Sequence, residues 1–152
     1  MENFKSPNNM LLHIRKSYVM IIEHKFDEKG GVYMIKRMPT NCGDETCSSC
    51  VIAGDYIFLA HHGGGQEKED IVHQMRKTFE SMEKTLASVG AGFDDMVQVN
   101  LYLRNIKDFR TAADVFSEYF KNGAPVRMTT TTEFVGKSCL CQMDGIAYKP
   151  LH

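Results

Sequence analysis

From residue 71 onward, apolar residues recur at spacings of three and four. Ile71, Val72, Met75, Phe79, Met82, Leu86 and Val89 form one stripe, the period of an amphipathic helix. Glu67, Glu69 and Asp70 precede it, where the helix dipole favours acids, and Gly90 is placed to stop it. The period then changes. Val97, Val99, Leu101 and Leu103 alternate with Gln98 and Asn100, so residues 96–103 read as a strand with one apolar and one polar face. A second helical stripe follows: Phe109, Ala112, Ala113, Phe116, Tyr119 and Phe120. Asn105 and Asp108 can cap that helix, and Asn122-Gly123 with Pro125 end it.

Shorter runs flank this centre. Residues 18–22 and 32–35 are predicted strands of a hairpin that turns through Asp27-Glu28-Lys29-Gly30-Gly31. Residues 50–53 and 56–60 form a second pair, joined at Gly54-Asp55. His61-His62-Gly63-Gly64-Gly65 is expected to be irregular, because three consecutive glycines resist regular structure. After Pro125, strand parity puts Arg127, Thr129, Thr131 and Glu133 on one side, and residues 140–147 carry Gln142 and Asp144 on a single face. This order predicts an α+β fold, a mixed β-sheet with two helices packed on one face through right-handed crossovers. The other face is only partly apolar, and such a face is commonly covered by another copy of the chain.

Composition narrows the function. With 152 residues, 43% hydrophobic and 24% charged, the chain reads as one globular domain that buries roughly two thirds of its unfolded surface. A formal charge of −1 gives no basic face for nucleic acid. No apolar run reaches the length of a bilayer span, and residues 1–16 lack a signal-type core, so neither a membrane partner nor export is expected. Five cysteines, an odd number, fit reduced thiols and a cytoplasmic location better than a disulfide framework.

Three constellations carry candidate chemistry. Arg127 at a strand edge suits a planar carboxylate, because its fork of donors matches two oxygens, and Asp144 could steer water or a proton. The plain alternative is a structural ion pair between adjacent strands. Cys47-Ser48-Ser49-Cys50, with Cys139, Cys141 and the histidines, could in principle assemble a zinc site. Against it, Cys139 and Cys141 would sit about 6–7 Å apart on one strand face, which is not knuckle geometry. A thioredoxin-type role is disfavoured too, since this C-x-x-C leads into a strand rather than a helix N-terminus. His61 and His62, beside the glycines, could act as general acid or base near neutral pH, or be ordinary loop histidines.

Several segments, in order, resemble the RidA (YjgF-type) family of reactive-intermediate deaminases. They are the run 51–58, Gln74-Met75-Arg76, the run 91–97, Val99-Asn100-Leu101-Tyr102-Leu103, Asp108-Phe109, Tyr119-Phe120, Pro125-Val126-Arg127 and Asp144-Gly145-Ile146-Ala147. The similarity runs from about Met34 to Tyr148. It divides the chain into an N-terminal extension, residues 1–33, and a RidA-like domain, residues 34–152.

The resemblance implies a chorismate-mutase-like fold assembled as a homotrimer, with pockets at the subunit interfaces. Its implied activity is hydrolysis of 2-imino acids, or their enamine tautomers, to 2-keto acids and ammonia without metal or cofactor. Arg127 stands where the family binds the substrate carboxylate. Asp144 stands at the acid that positions water, one methylene shorter than the usual glutamate. Thr129, Cys47 and Phe58 are further substrate-contacting positions, and His61 and His62 are candidates for proton transfer. The pattern also departs from the family's. Cys47 replaces a pocket tyrosine, and Ala60-His61-His62 stands at the family's serine-glycine-glutamine. A non-catalytic protein that binds small carboxylates is the alternative these departures leave open.

Overall fold

The computed structural model describes residues 21–26, 32–40 and 42–150. Seven strands, β1 (Ile21–Phe26), β2 (Val32–Arg37), β3 (Cys50–Ala53), β4 (Tyr56–His62), β5 (Met96–Leu103), β6 (Val126–Thr131) and β7 (Cys141–Tyr148), form one sheet. Their spatial order is β1-β2-β3-β4-β7-β5-β6. Only β5 and β6 run parallel; every other neighbouring pair is antiparallel. Two helices, α1 (Ile71–Ser88) and α2 (Phe109–Ser117), pack on one face, giving the α+β mixed sheet that the periodicity predicts.

Helix α1 forms where its stripe predicts. Asp70 caps it by accepting the His73 backbone N–H at 2.7 Å. Gly90, at φ +76°, turns the chain away in the left-handed region that glycine adopts without strain. Met75, Phe79, Met82 and Leu86 are fully buried against Ile57, Leu59, Val99, Leu101 and Met143 of the sheet. Phe79 anchors this layer, stacked on Tyr119 with ring centroids 3.9 Å apart and meeting Phe93, Phe116 and Phe120 edge-on. Buried Gln74 ties α1 to the approach to β7. Its side-chain nitrogen donates to Lys68 O and Ser138 O, and its oxygen accepts from Leu140 N.

The structure moves several expected boundaries. The first hairpin is longer at its ends, with β1 running to Phe26 and β2 to Arg37, while residues 18–20 and the turn at 27–31 lie outside the described residues. This hairpin extends the sheet, because β2 pairs with β3. Helix α2 ends at Ser117, yet Phe120 beyond it stays in the core. In β5, a register shift between Met96 and Gln98 breaks the strict alternation. Met96 turns inward and Val97 outward, 44% exposed, so Val97 does not share a face with Val99.

The largest difference lies at the two histidines, which belong to β4 and are not part of an irregular run. Only the glycines after them leave the sheet, and there closeness matters. A Cβ on Gly64 would come within 2.9 Å of the Lys77 carbonyl oxygen, so the chain can lie against α1 only without a side chain there.

Candidate active site

Strand β7 lies between β4 and β5, and Asp144 sits midway along it, opposite Asn100 in register. Parity places both on the face without helices. Asn100 Nδ2 donates to Asp144 Oδ1 at 2.7 Å, and the Tyr102 hydroxyl donates to Oδ2 at 2.9 Å. His61 Nε2 lies 3.0 Å from the same Oδ2. An ionised carboxylate only accepts, so Nε2 carries the proton toward Asp144 and Nδ1 remains for other chemistry. The His61 ring also leans on Tyr102, with centroids 5.2 Å apart. Burial, then the hydrogen bond to Asp144 and its negative charge, push the Tyr102 hydroxyl above its ordinary pKa, so it stays a donor.

A bulge in β4 is what brings His61 here. Leu59 pairs with Gly145, but His62 pairs with Met143, so one extra residue is accommodated between Leu59 and His62. Without it, alternation from buried Leu59 would turn His61 inward and His62 outward. With it, His61 reaches the open face, its side chain 60% exposed, and His62 turns into the core at 3%. There His62 Nδ1 donates to Ala60 O at 2.7 Å and Nε2 accepts from the Thr85 hydroxyl at 2.8 Å. Burial lowers its pKa, so the ring is neutral. Of the two candidate proton carriers, His61 is the one beside Asp144.

Arg127 lies elsewhere. On edge strand β6 it pairs in register with Val99, which puts it on the helix side of the sheet. Its guanidinium carbon rests 4.8 Å from the Phe116 ring centroid and 5.8 Å from that of Phe109. It makes no ion pair with a described residue. Asp144 is two strands away on the opposite face, so the alternative of an Arg127–Asp144 ion pair between adjacent strands is incorrect. Nor does a single chain bring the two together as one site. Thr129 keeps company with Arg127, in register with Leu101. Phe58 lies on the open face, 44% exposed and paired with Ile146. Cys47 is exposed at the rim of a recess of about 170 Å³ that His61, Ala60, Ser49, Gly63 and Ser81 also line. The rest of the cysteine motif scatters: Cys50 is buried in β3, and burial pushes its thiol up to about 11.

Residues 46–149 match the family model described as endoribonuclease L-PSP. The chain belongs to the RidA/YjgF family. A RutC family protein of Pyrococcus abyssi is 32% identical over 108 residues, covering 67% of this chain and 85% of the relative. A solved yjgF-family structure from Streptococcus pyogenes superposes with a TM-score of 0.70 at 31% identity, covering 77% of this chain and 98% of that one. A 2-iminobutanoate/2-iminopropanoate deaminase of Dermatophagoides farinae is 26% identical over 105 residues, 65% of this chain and 82% of the relative. The RidA-family match begins at residue 46, after β1 and β2.

Asn100 and Tyr102 are the members of the cluster that motif reasoning leaves out. Their signal is parity: they alternate with Val99 and Leu101 on β5 and so share the polar face with Asp144. What the sequence could not display is the bulge, which decides which histidine joins them.

Proposed function

We propose that this RidA-family protein hydrolyses 2-imino acids, or their enamine tautomers, to 2-keto acids and ammonia in the cytoplasm. The observation that carries the reading is the cluster on the helix-free face, where Asp144 receives Asn100, Tyr102 and His61 together. Asp144 holds His61 in one orientation through the contact at Nε2. Nδ1 of His61 then takes a proton from water as the oxygen attacks the imine carbon, and returns one to the nitrogen as ammonia leaves. The acid–base contribution is about 10²–10⁴-fold.

A carboxylate-binding cation must face this cluster, and Arg127 of the same chain does not. The proposed active form is therefore a homotrimer in which the β6 edge of one copy, with Arg127 and Thr129, faces the open sheet of the next. Two features support it. Tyr56, Phe58, Val126, Met128 and Tyr148 leave an unusual amount of apolar surface exposed on β4, β6 and β7. The guanidinium is also steadied on two aromatic rings, and among the described residues no acid pairs with it.

The test is a 2-imino acid generated in situ by an amino-acid oxidase, with keto-acid formation as the readout. Arg127→Ala abolishes saturable turnover, whereas full activity in that variant would overturn the assignment. One observation favours a second reading, a non-catalytic carboxylate binder: exposed Cys47 stands where the resemblance expects a pocket tyrosine. In that case small 2-keto acids raise the melting temperature in an Arg127-dependent way and no ammonia is released.

A further inference from the structure

The loop leading into β3 carries two exposed cysteines, Cys42 and Cys47, while Cys50, Cys139 and Cys141 are buried. The loop is tied to itself. Gly43 turns at φ +77°, Asp44 O accepts the Cys47 backbone N–H at 3.4 Å, and Asp44 Oδ1 accepts from Thr46 N at 2.9 Å. The turn brings both sulfurs to one hydroxyl, with Thr40 Oγ1 3.0 Å from Cys42 Sγ and 3.9 Å from Cys47 Sγ.

Proton counting gives that hydroxyl a direction. It has one proton to donate and two lone pairs to receive with. The Cys42 backbone N–H donates to it at 3.2 Å, and the Cys47 thiol lies within reach of it at 3.9 Å. An ionised Cys42 sulfur can only accept, so the hydroxyl's own proton turns to it at 3.0 Å and favours the thiolate. The Cys47 thiol has a second acceptor in Asp44 O at 3.6 Å, which suits a protonated sulfur. The two cysteines are therefore not equivalent. In line with this, the Thr40 hydrogen bond, followed by a backbone hydrogen bond at Asp44, lowers the Cys42 pKa, whereas burial raises Cys141 to about 12.

We propose that Cys42 and Cys47 form a peroxide-reactive dithiol, Cys42 the attacking sulfur and Cys47 the resolving one. The Cys42 thiolate attacks one oxygen of hydrogen peroxide, the O–O bond breaks, and the released hydroxide leaves as water after gaining a proton. Cys42 becomes a sulfenic acid. Cys47 sulfur then displaces its hydroxyl, which departs as a second water, and an S–S bond closes the six-residue loop. Peroxide is reduced by two electrons and the two thiols are oxidised. Both cysteines line the recess that His61 also lines, so the bridge forms at its rim. The proposal does not rest on imine hydrolysis.

The experiment uses the full chain and hydrogen peroxide at pH 7, then blocking of free thiols and peptide mass spectrometry. The expected product is an intramolecular Cys42–Cys47 disulfide, with the three buried cysteines labelled only after unfolding. Cys47→Ser halts at a sulfenic acid that dimedone traps on residue 42, and Cys42→Ser abolishes the fast phase. Thr40→Val slows the reaction several-fold with an unchanged melting temperature and far-UV spectrum. The proposal is overturned if native Cys42 reacts no faster than a cysteine in the unfolded chain. It is equally overturned if Thr40→Val reacts at the original rate, or if the only disulfides join separate molecules.

Discussion

The two faces of the sheet are built from the same strands yet obey different rules. On the helix side Val99, Leu101, Leu103 and Met143 are sealed beneath Phe79, Met82 and Leu86. On the other side Asn100, Tyr102, Gln142 and Asp144 alternate with them and stay partly open to water. The histidines show what the difference means. His62 tolerates the closed side only by being neutral and hydrogen-bonded at both ring nitrogens. His61, on the open side, spends one nitrogen on Asp144 and keeps the other. Chemistry needs an uncommitted group, and only the unsealed face can hold one at low cost.

Substitutions on either side should separate the faces. The largest effect is expected from Phe79→Ala, which leaves a cavity among four aromatic rings and costs about 3–5 kcal/mol, read by urea unfolding. Next comes His62→Ala, expected to cost about 1–3 kcal/mol because the Thr85 hydroxyl and Ala60 carbonyl lose a buried partner.

His62 also sets a pH signature. Its folded pKa is depressed below the unfolded value of about 6.5. The stability it contributes is therefore fully present above that value and is lost as pH falls toward the lowered folded pKa. His62→Gln should flatten this acid limb in melting curves taken between pH 7 and pH 5; an unchanged limb would assign it to another group.

His61→Gln should change stability by less than about 0.5 kcal/mol, since an exposed side chain is removed, while kcat on an in situ imine falls roughly 10²-fold. Equal destabilisation by the two histidine variants would erase the distinction between the faces. The smallest effect on chain packing is expected from Phe58→Ser, which touches no sealed layer and reports instead by sedimentation, as dissociation of the proposed trimer.

Much of this division was legible in the sequence. The stripe from Ile71 to Leu86 and the alternation from Gln98 to Leu103 identify the elements, because burial on one side imposes a period on the residues that must face it. Two places broke the pattern, and both are bulges. At Met96–Gln98 and at Leu59–His62 one extra residue inverts parity, and no composition signal marks the inversion because either residue could occupy either side. The pairing of Arg127 with the helix side was unreadable for a different reason. It follows from the parallel register of β6 on β5, a long-range choice made by the sheet as a whole. Asp144 was found by motif, but its partners Asn100 and Tyr102 required the β5–β7 register to reveal them.

The bulge in β4 behaves as a parity bit written in chain length. Straightening the strand at its present length would keep both imidazoles in the protein and alter no charge, yet it would exchange their addresses, sending the ring that now meets water into the oily layer and the shielded one out; removing Ala60 as well would return each to its place. The single surplus residue, rather than any charge or ring, therefore decides which imidazole meets water.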